Sequence, residues 1–191
     1  MKHALRMVRI SPFLFRTYWR LMRKAVSEDT IACNKRPAQS AGRIAGMGRL
    51  SGGGIVLRIV ICCLGGGSSF FVTRHIIQEI QSYGYTDRAT FGFAAFRGLV
   101  SIQDKYDIAM ICPHQEYEIK RNPDAYHIPV YVIPMVMYGL RSAEDLIEDA
   151  EDLMEVWAAG AKNPVTFPDE PRSMTCGRTV SHRKMLQRRR K

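Results

Sequence analysis

No stretch of this 191-residue chain is long and apolar enough to read as a membrane span. Its five cysteines (Cys33, Cys62, Cys63, Cys112 and Cys176) contain no CxxC pair and no Cys/His spacing, so no metal site is expected. Cys62 and Cys63 are adjacent and can close only a strained ring, so all five are read as reduced thiols of a cytoplasmic protein. A secretory signal is not expected either. The apolar stretch of "MKHALRMVRISPFLFRTYWRLMRKAV" is broken by Ser11, Pro12 and Arg16. No internal repeat is visible.

The chain carries a formal charge of +10, which on its face suggests a nucleic-acid or membrane partner. Its distribution excludes nucleic acid for the central part. Residues 1–55 hold 11 Lys/Arg against 2 Asp/Glu, residues 56–160 hold 8 against 14, and residues 161–191 hold 9 against 2. The basic character lies wholly in the two ends, and the middle is an acidic domain of net charge −6. Residues 1–55 are expected to be a poorly ordered basic extension, with an amphipathic surface helix as one alternative for residues 1–26. Another account makes them a gene-start artefact, with "GGG" at 52–54 the translated ribosome-binding site of a start near Val56. After Lys162 the chain is polar, carries Pro164, Pro168 and Pro171, and ends "HRKMLQRRRK". A disordered basic tail over 161–191, or a docking tail for an acidic partner, is expected there.

Between these ends, apolar runs alternate with helical patterns. "IVLRIVICC" is nearly continuous and β-branched, as a strand buried on both faces should be. "SSFFVTRHIIQEIQSYG" predicts a helix capped by Ser68 or Ser69 and closed at Gly84, with Phe70, Phe71, Ile76, Ile77 and Ile80 as its apolar residues. "YTDRATFGF", "YDIAMIC" and "IPVYVIP" predict three more strands. "FRGLVSIQDKY" and "QEYEIKRNPDAY" predict short helices between them. "SAEDLIEDAEDLMEVWAAG" predicts a helix capped by Ser142, with a solvated acidic face. The order implies an α/β domain over 56–160 with a parallel sheet flanked by helices.

The chemistry points to "ICCLGGGSSFF". A strand running through a glycine-rich loop into a helix is a general way to hold phosphate, because amide groups and the helix dipole converge on the loop. The ATP-binding version needs a Lys after its last Gly, and the dinucleotide fingerprint needs a third Gly where Phe70 stands. What this loop has instead is a thiol at its entrance. The same amides and dipole favour thiolate there, so nucleophilic attack by sulfur on phosphorus is the chemistry suggested. Cys62 is the expected nucleophile and Cys63 the reserve, each weighed against an ordinary core cysteine. Leu64, Gly65, Gly66, Gly67, Ser68 and Ser69 complete the phosphate loop.

Low-molecular-weight tyrosine phosphatases use C-x5-R-[ST], but the sixth residue after Cys62 is Ser68 and after Cys63 is Ser69. "RIVICCLGGGSSFF" resembles instead the opening of the lactose/cellobiose-type enzyme IIB components of the sugar phosphotransferase system, whose loop runs roughly C-S-A-G-M-S-[ST]-S-L-L. "ICPHQEY" is similar to that family's L-G-P-Q-x-x-Y at Pro113 and Tyr117, and "VIPMVMYG" to its V-I-D-x-x-x-Y-G at Tyr138 and Gly139. The departures are Cys63 and Leu64 for S-A, Gly66 and Gly67 for M-S, His114 for Gln, and Pro134 for Asp.

The resemblance implies a four-stranded parallel sheet flanked by helices, like the low-molecular-weight phosphatase fold. It also implies a phosphoryl relay without metal or diffusible cofactor. Cys62 would accept phosphate from a phosphohistidine of enzyme IIA and pass it to a cellobiose- or lactose-type sugar held by the membrane component IIC. His114 and Tyr117 are candidates for positions near the phosphate. The alternatives are a regulatory or interaction protein keeping the fold, and a Cys-dependent phosphatase or arsenate reductase.

Overall fold

The structure is a computed structural model that describes residues 56–190; residues 1–55, with the expected extension or start artefact, and Lys191 lie outside the described residues. Four strands form one parallel sheet: β1 (Leu57–Cys63), β2 (Ala89–Ala95), β3 (Ile108–Ile111) and β4 (Val130–Val132), in the order β2-β1-β3-β4. The helices are α1 (Gly67–Tyr83), α2 (Leu99–Ile102), α3 (Glu116–Arg121), α4 (Met135–Leu140), α5 (Ala143–Ala158) and α6 (His182–Arg189). The expected four-stranded parallel sheet flanked by helices is what the chain forms.

Every central strand is apolar on both faces because both are covered. On one face Ile59, Ile61, Met110, Tyr131 and Ile133 pack against Val72, Ile76 and Ile80 of α1 and Leu146, Ile147, Ala150 and Leu153 of α5. On the other, Val60, Cys62, Ala109, Ile111, Val130 and Val132 pack against Phe96, Leu99, Ile119 and Ile128. Each fully buried aliphatic side chain contributes about 1.5–3 kcal/mol, so the two layers supply the bulk of the stabilisation. The edge strand β2 closes against Tyr106, whose ring and hydroxyl occupy the space a Cβ on Gly92 would need.

Expectations for two regions change. Helix α1 begins at Gly67 rather than behind a serine cap: Gly66, in the left-handed conformation at φ 81°, is the capping residue and makes no side-chain cap. Its predicted apolar Phe71 and Ile77 face solvent, and Val72 and Thr73 take the buried positions. Gly84 ends the helix as expected, at φ 74°.

The larger change concerns residues 161–190, which are not a disordered tail. They belong to the same compact unit as the sheet and run along β4 and α5. Val165 bridges Tyr131 beside β4, and Val165 and Phe167 are buried in the first core layer. The Arg178 guanidinium is buried between Asp149 (2.7 Å) and Glu170 (2.8 Å) and donates to the Tyr131 hydroxyl at 2.6 Å. Ser181 caps α6, and its amide donates to Asp145 at 2.9 Å. Arg183 pairs with Asp152 (2.6 Å) and Glu151 (3.1 Å), and Lys184 with Glu144 (2.6 Å) and Asp145 (3.0 Å). The acidic face of α5 is therefore covered, not solvated. Opposite charge explains why a sequence too polar for a core of its own still orders: the basic segment's acidic partner is its own domain.

Candidate functional site: a thiol at the end of β1

In this strand order the chain leaves β1 for one neighbour and reaches the other by a crossover, so the sheet has its topological switch point between β1 and β3. Open α/β sheets bind ligands at such points, outside the carboxyl ends of the strands. Cys63 ends β1, and Cys112 follows β3.

Strand geometry sorts the adjacent thiols, because successive side chains point to opposite faces. Cys62 shares its face with Val60, is 0% exposed, and packs in the second core layer. Burial, with Cys63 and Cys112 nearby, pushes its thiol up to about 12. Cys63 lies on the α1 face, where the loop turns over it. Cys62, the nucleophile expected from the sequence, is thus directed away from the loop, and the reserve Cys63 is directed into it.

The Ser69 amide donates to Cys63 Sγ at 3.3 Å, and the Ser69 hydroxyl lies 3.4 Å from the same sulfur. That hydroxyl also donates to the Gly66 carbonyl at 3.0 Å, which closes the loop on itself. Burial alone would raise the Cys63 thiol. The Ser68 and Ser69 hydroxyls and the Ser69 and Gly66 amides outweigh it and bring the thiol below its ordinary value. The first amides of a helix have no carbonyl partner within it, and here the first turn of α1 presents that of Ser69 to the sulfur.

Gly66 is the glycine the loop requires. Its φ of 81° disfavours any other residue, and a Cβ there would sit 3.4 Å from the Ala95 amide nitrogen. Gly65 and Gly67 have open space around them. Leu64 projects outward, 57% exposed. Ser68 shares a 3.0 Å hydrogen bond with the Tyr138 hydroxyl. Tyr138 stays protonated, pushed up to about 12 mainly by burial, with the Ser68 bond opposing and the nearby thiols adding to the rise.

The other expected residues are placed differently. His114 is exposed on the turn after β3. Tyr117 is 69% exposed, and the Arg121 guanidinium lies over its ring at 5.8 Å. Tyr138, which the sequence marks only through the Y-G motif after the fourth strand, is the tyrosine beside the thiol loop. Among the described residues, no group of three or more His, Cys, Asp or Glu is placed to hold a metal ion. Nor is any described helix long and apolar enough to cross a membrane.

No protein-family model and no curated protein matches the chain. Among solved structures, it is similar to the lactose-specific IIB component domain of the phosphoenolpyruvate:carbohydrate phosphotransferase system from Streptococcus pneumoniae. That similarity has 16% identity and a TM-score of 0.42, and it spans 51% of this chain and 97% of that one.

Proposed function

We propose that the chain is a IIB-type phosphoryl carrier of a sugar phosphotransferase system and that Cys63, rather than Cys62, carries the group. The observation that supports this most directly is the Ser69 amide on Cys63 Sγ at the start of α1. The Pro113/Tyr117 stretch and the Tyr138-Gly139 pair support the carrier reading, whereas the loop motif taken alone aligns Cys62 with the family's cysteine.

In the proposed reaction the Cys63 thiolate attacks phosphorus of a phosphohistidine on a IIA protein. The P–S bond forms as the P–N bond breaks, and the imidazole, which carries a proton on its other ring nitrogen, leaves as a neutral base. The transferred oxygens face the amides of the first turn of α1, with the Ser68 and Tyr138 hydroxyls as further donors. The group then passes to a sugar bound by a membrane IIC component, so the carrier works at the cytoplasmic face. Hydrolysis is disfavoured because Ser69 occupies the position from which a phosphatase arginine would clamp the phosphate.

The test is intact mass after incubation with phosphoenolpyruvate, the general phosphotransferase proteins and a matching IIA. One phosphoryl group should appear on the wild type and on Cys62→Ala, and none on Cys63→Ser. Loss in Cys62→Ala with retention in Cys63→Ser returns the role to Cys62. No addition to the wild type by IIA proteins shown to be phosphorylated rejects the carrier reading in favour of an interaction protein.

A further inference from the structure

The end of β1 has a second thiol beside it. β1 and β3 are in parallel register with Cys62 opposite Ile111, and the Cys112 amide continues the ladder by donating to the Cys62 carbonyl at 2.9 Å. One residue further on, Cys63 stands opposite Cys112. Partners in parallel register point to the same face: Met110, two residues before Cys112, lies in the same core layer as Ile59 and Ile61. Neighbouring strands run about 4.8 Å apart, inside the range of about 4.4–6.8 Å between Cα atoms that a disulfide bridges. Cys62 points to the opposite face, so it competes poorly for either thiol. Burial and the nearby Cys63 push the Cys112 thiol up, with the Leu64, His114 and Gln115 amides opposing. The fold uses no such pairing: Cys63 and Cys112 are both free and each 5% exposed.

We infer that Cys63 and Cys112 form a reversible redox pair, in which Cys63 is the peroxide-reactive thiol and Cys112 resolves it as an intramolecular disulfide. The Cys63 thiolate attacks one oxygen of hydrogen peroxide; the O–O bond breaks, hydroxide leaves, and Cys63 becomes a sulfenic acid. The Cys112 sulfur then attacks the sulfenic sulfur, the S–O bond breaks, and the departing hydroxide takes the Cys112 proton to leave as water. Two thiols and one peroxide give one disulfide and two waters. A dithiol reductant reverses the link by exchange. The amides that favour the Cys63 thiolate make it the attacking partner, and Cys112 at its side intercepts the sulfenic acid before further oxidation to sulfinic acid. The inference rests on the same thiol loop as the carrier reading but needs no phosphoryl donor, so the two fail separately.

The experiment treats the full chain with hydrogen peroxide, blocks remaining thiols under denaturing conditions, and maps trypsin peptides by mass. A linked pair is expected between the peptide Ile59–Arg74 and the peptide Tyr106–Lys120. It should persist in Cys62→Ala, vanish in Cys63→Ser and Cys112→Ser, and be reversed by dithiothreitol. In Cys112→Ser, dimedone should trap a sulfenic acid at Cys63, and sulfinic acid should accumulate at a dose that leaves the wild type recoverable. A thermal melt of each variant separates loss of the link from loss of the fold, and Cys112→Ala serves if Cys112→Ser does not fold. A link that survives Cys63→Ser, a Cys62–Cys63 ring, or a wild type that goes to sulfinic acid without a link each overturns the inference.

Discussion

Ser69, in the first turn of α1, donates its amide to the sulfur of Cys63, the last residue of β1, across 3.3 Å. That contact joins a strand end and a helix start into one anion-stabilising corner, and it divides the behaviour of the two adjacent thiols.

Alkylation should show that division. Cys63 is expected to react with iodoacetamide with a midpoint below that of a free cysteine, because the loop's hydroxyls and amides outweigh burial. Cys62, pushed up to about 12, should stay unmodified in the folded protein. The sign follows from thiolate being the reactive form: lowering the pKa extends reactivity to lower pH. Rates from pH 5 to 10, with the label located by peptide mapping, check it. A Cys63 midpoint above that of free cysteine would contradict the geometry.

The glycines of the loop should not behave alike. Gly66→Ala places a side chain at φ 81° against the Ala95 backbone and should cost about 1–2 kcal/mol. Gly67→Ala, at the first position of α1 in open space, should leave stability unchanged or raise it by up to about 1 kcal/mol. Urea unfolding of the two variants distinguishes a loop held by one conformation from one that merely needs small residues.

Ser68 and Tyr138 should be energetically coupled. A double-mutant cycle with Ser68→Ala and Tyr138→Phe is expected to give about 0.5–1.5 kcal/mol for their hydrogen bond. If the two hydroxyls also hold the transferred phosphoryl group, each variant should slow phosphorylation more than it lowers stability.

The C-terminal segment should be a structural part of the domain. Replacing Arg178 with Met leaves Asp149 and Glu170 buried without their cation, which should cost about 3–5 kcal/mol at neutral pH. Burial already pushes Asp149 up to about 7 against the pull of Arg178, and without the guanidinium the carboxyl rises further. A carboxyl raised in the folded state keeps a proton that the unfolded chain has lost. Stability from that group is therefore full below about pH 4 and falls as pH rises through the folded value. Arg178→Met should melt at a higher temperature at pH 5 than at pH 8. A pH-independent melt near that of wild type would place this segment outside the fold.

The strands and the two long helices were legible because their residues announce them. "IVLRIVICC", "YDIAMIC" and "IPVYVIP" are apolar throughout, and Ser142 opens α5 in the sequence as it does in the structure, where it accepts the Asp145 amide at 3.3 Å. The thiol loop was legible as a loop. The choice between its cysteines was not, because a strand buried on both faces has no alternation of polarity from which to read direction.

The C-terminal segment was misleading for a related reason. Its charges look solvated until Arg178, Arg183 and Lys184 meet carboxylates 29 to 40 residues away in α5. Sequence by itself determined the element order, the parallel sheet and a thiol before a glycine turn, all of which follow from local pattern and chain chirality. Only the tertiary structure decided that α1 lies over the Cys63 side of β1, that Tyr138 reaches Ser68, and that the basic end closes on the acidic helix. Each of those depends on which faces meet, and that is settled by packing between distant parts of the chain.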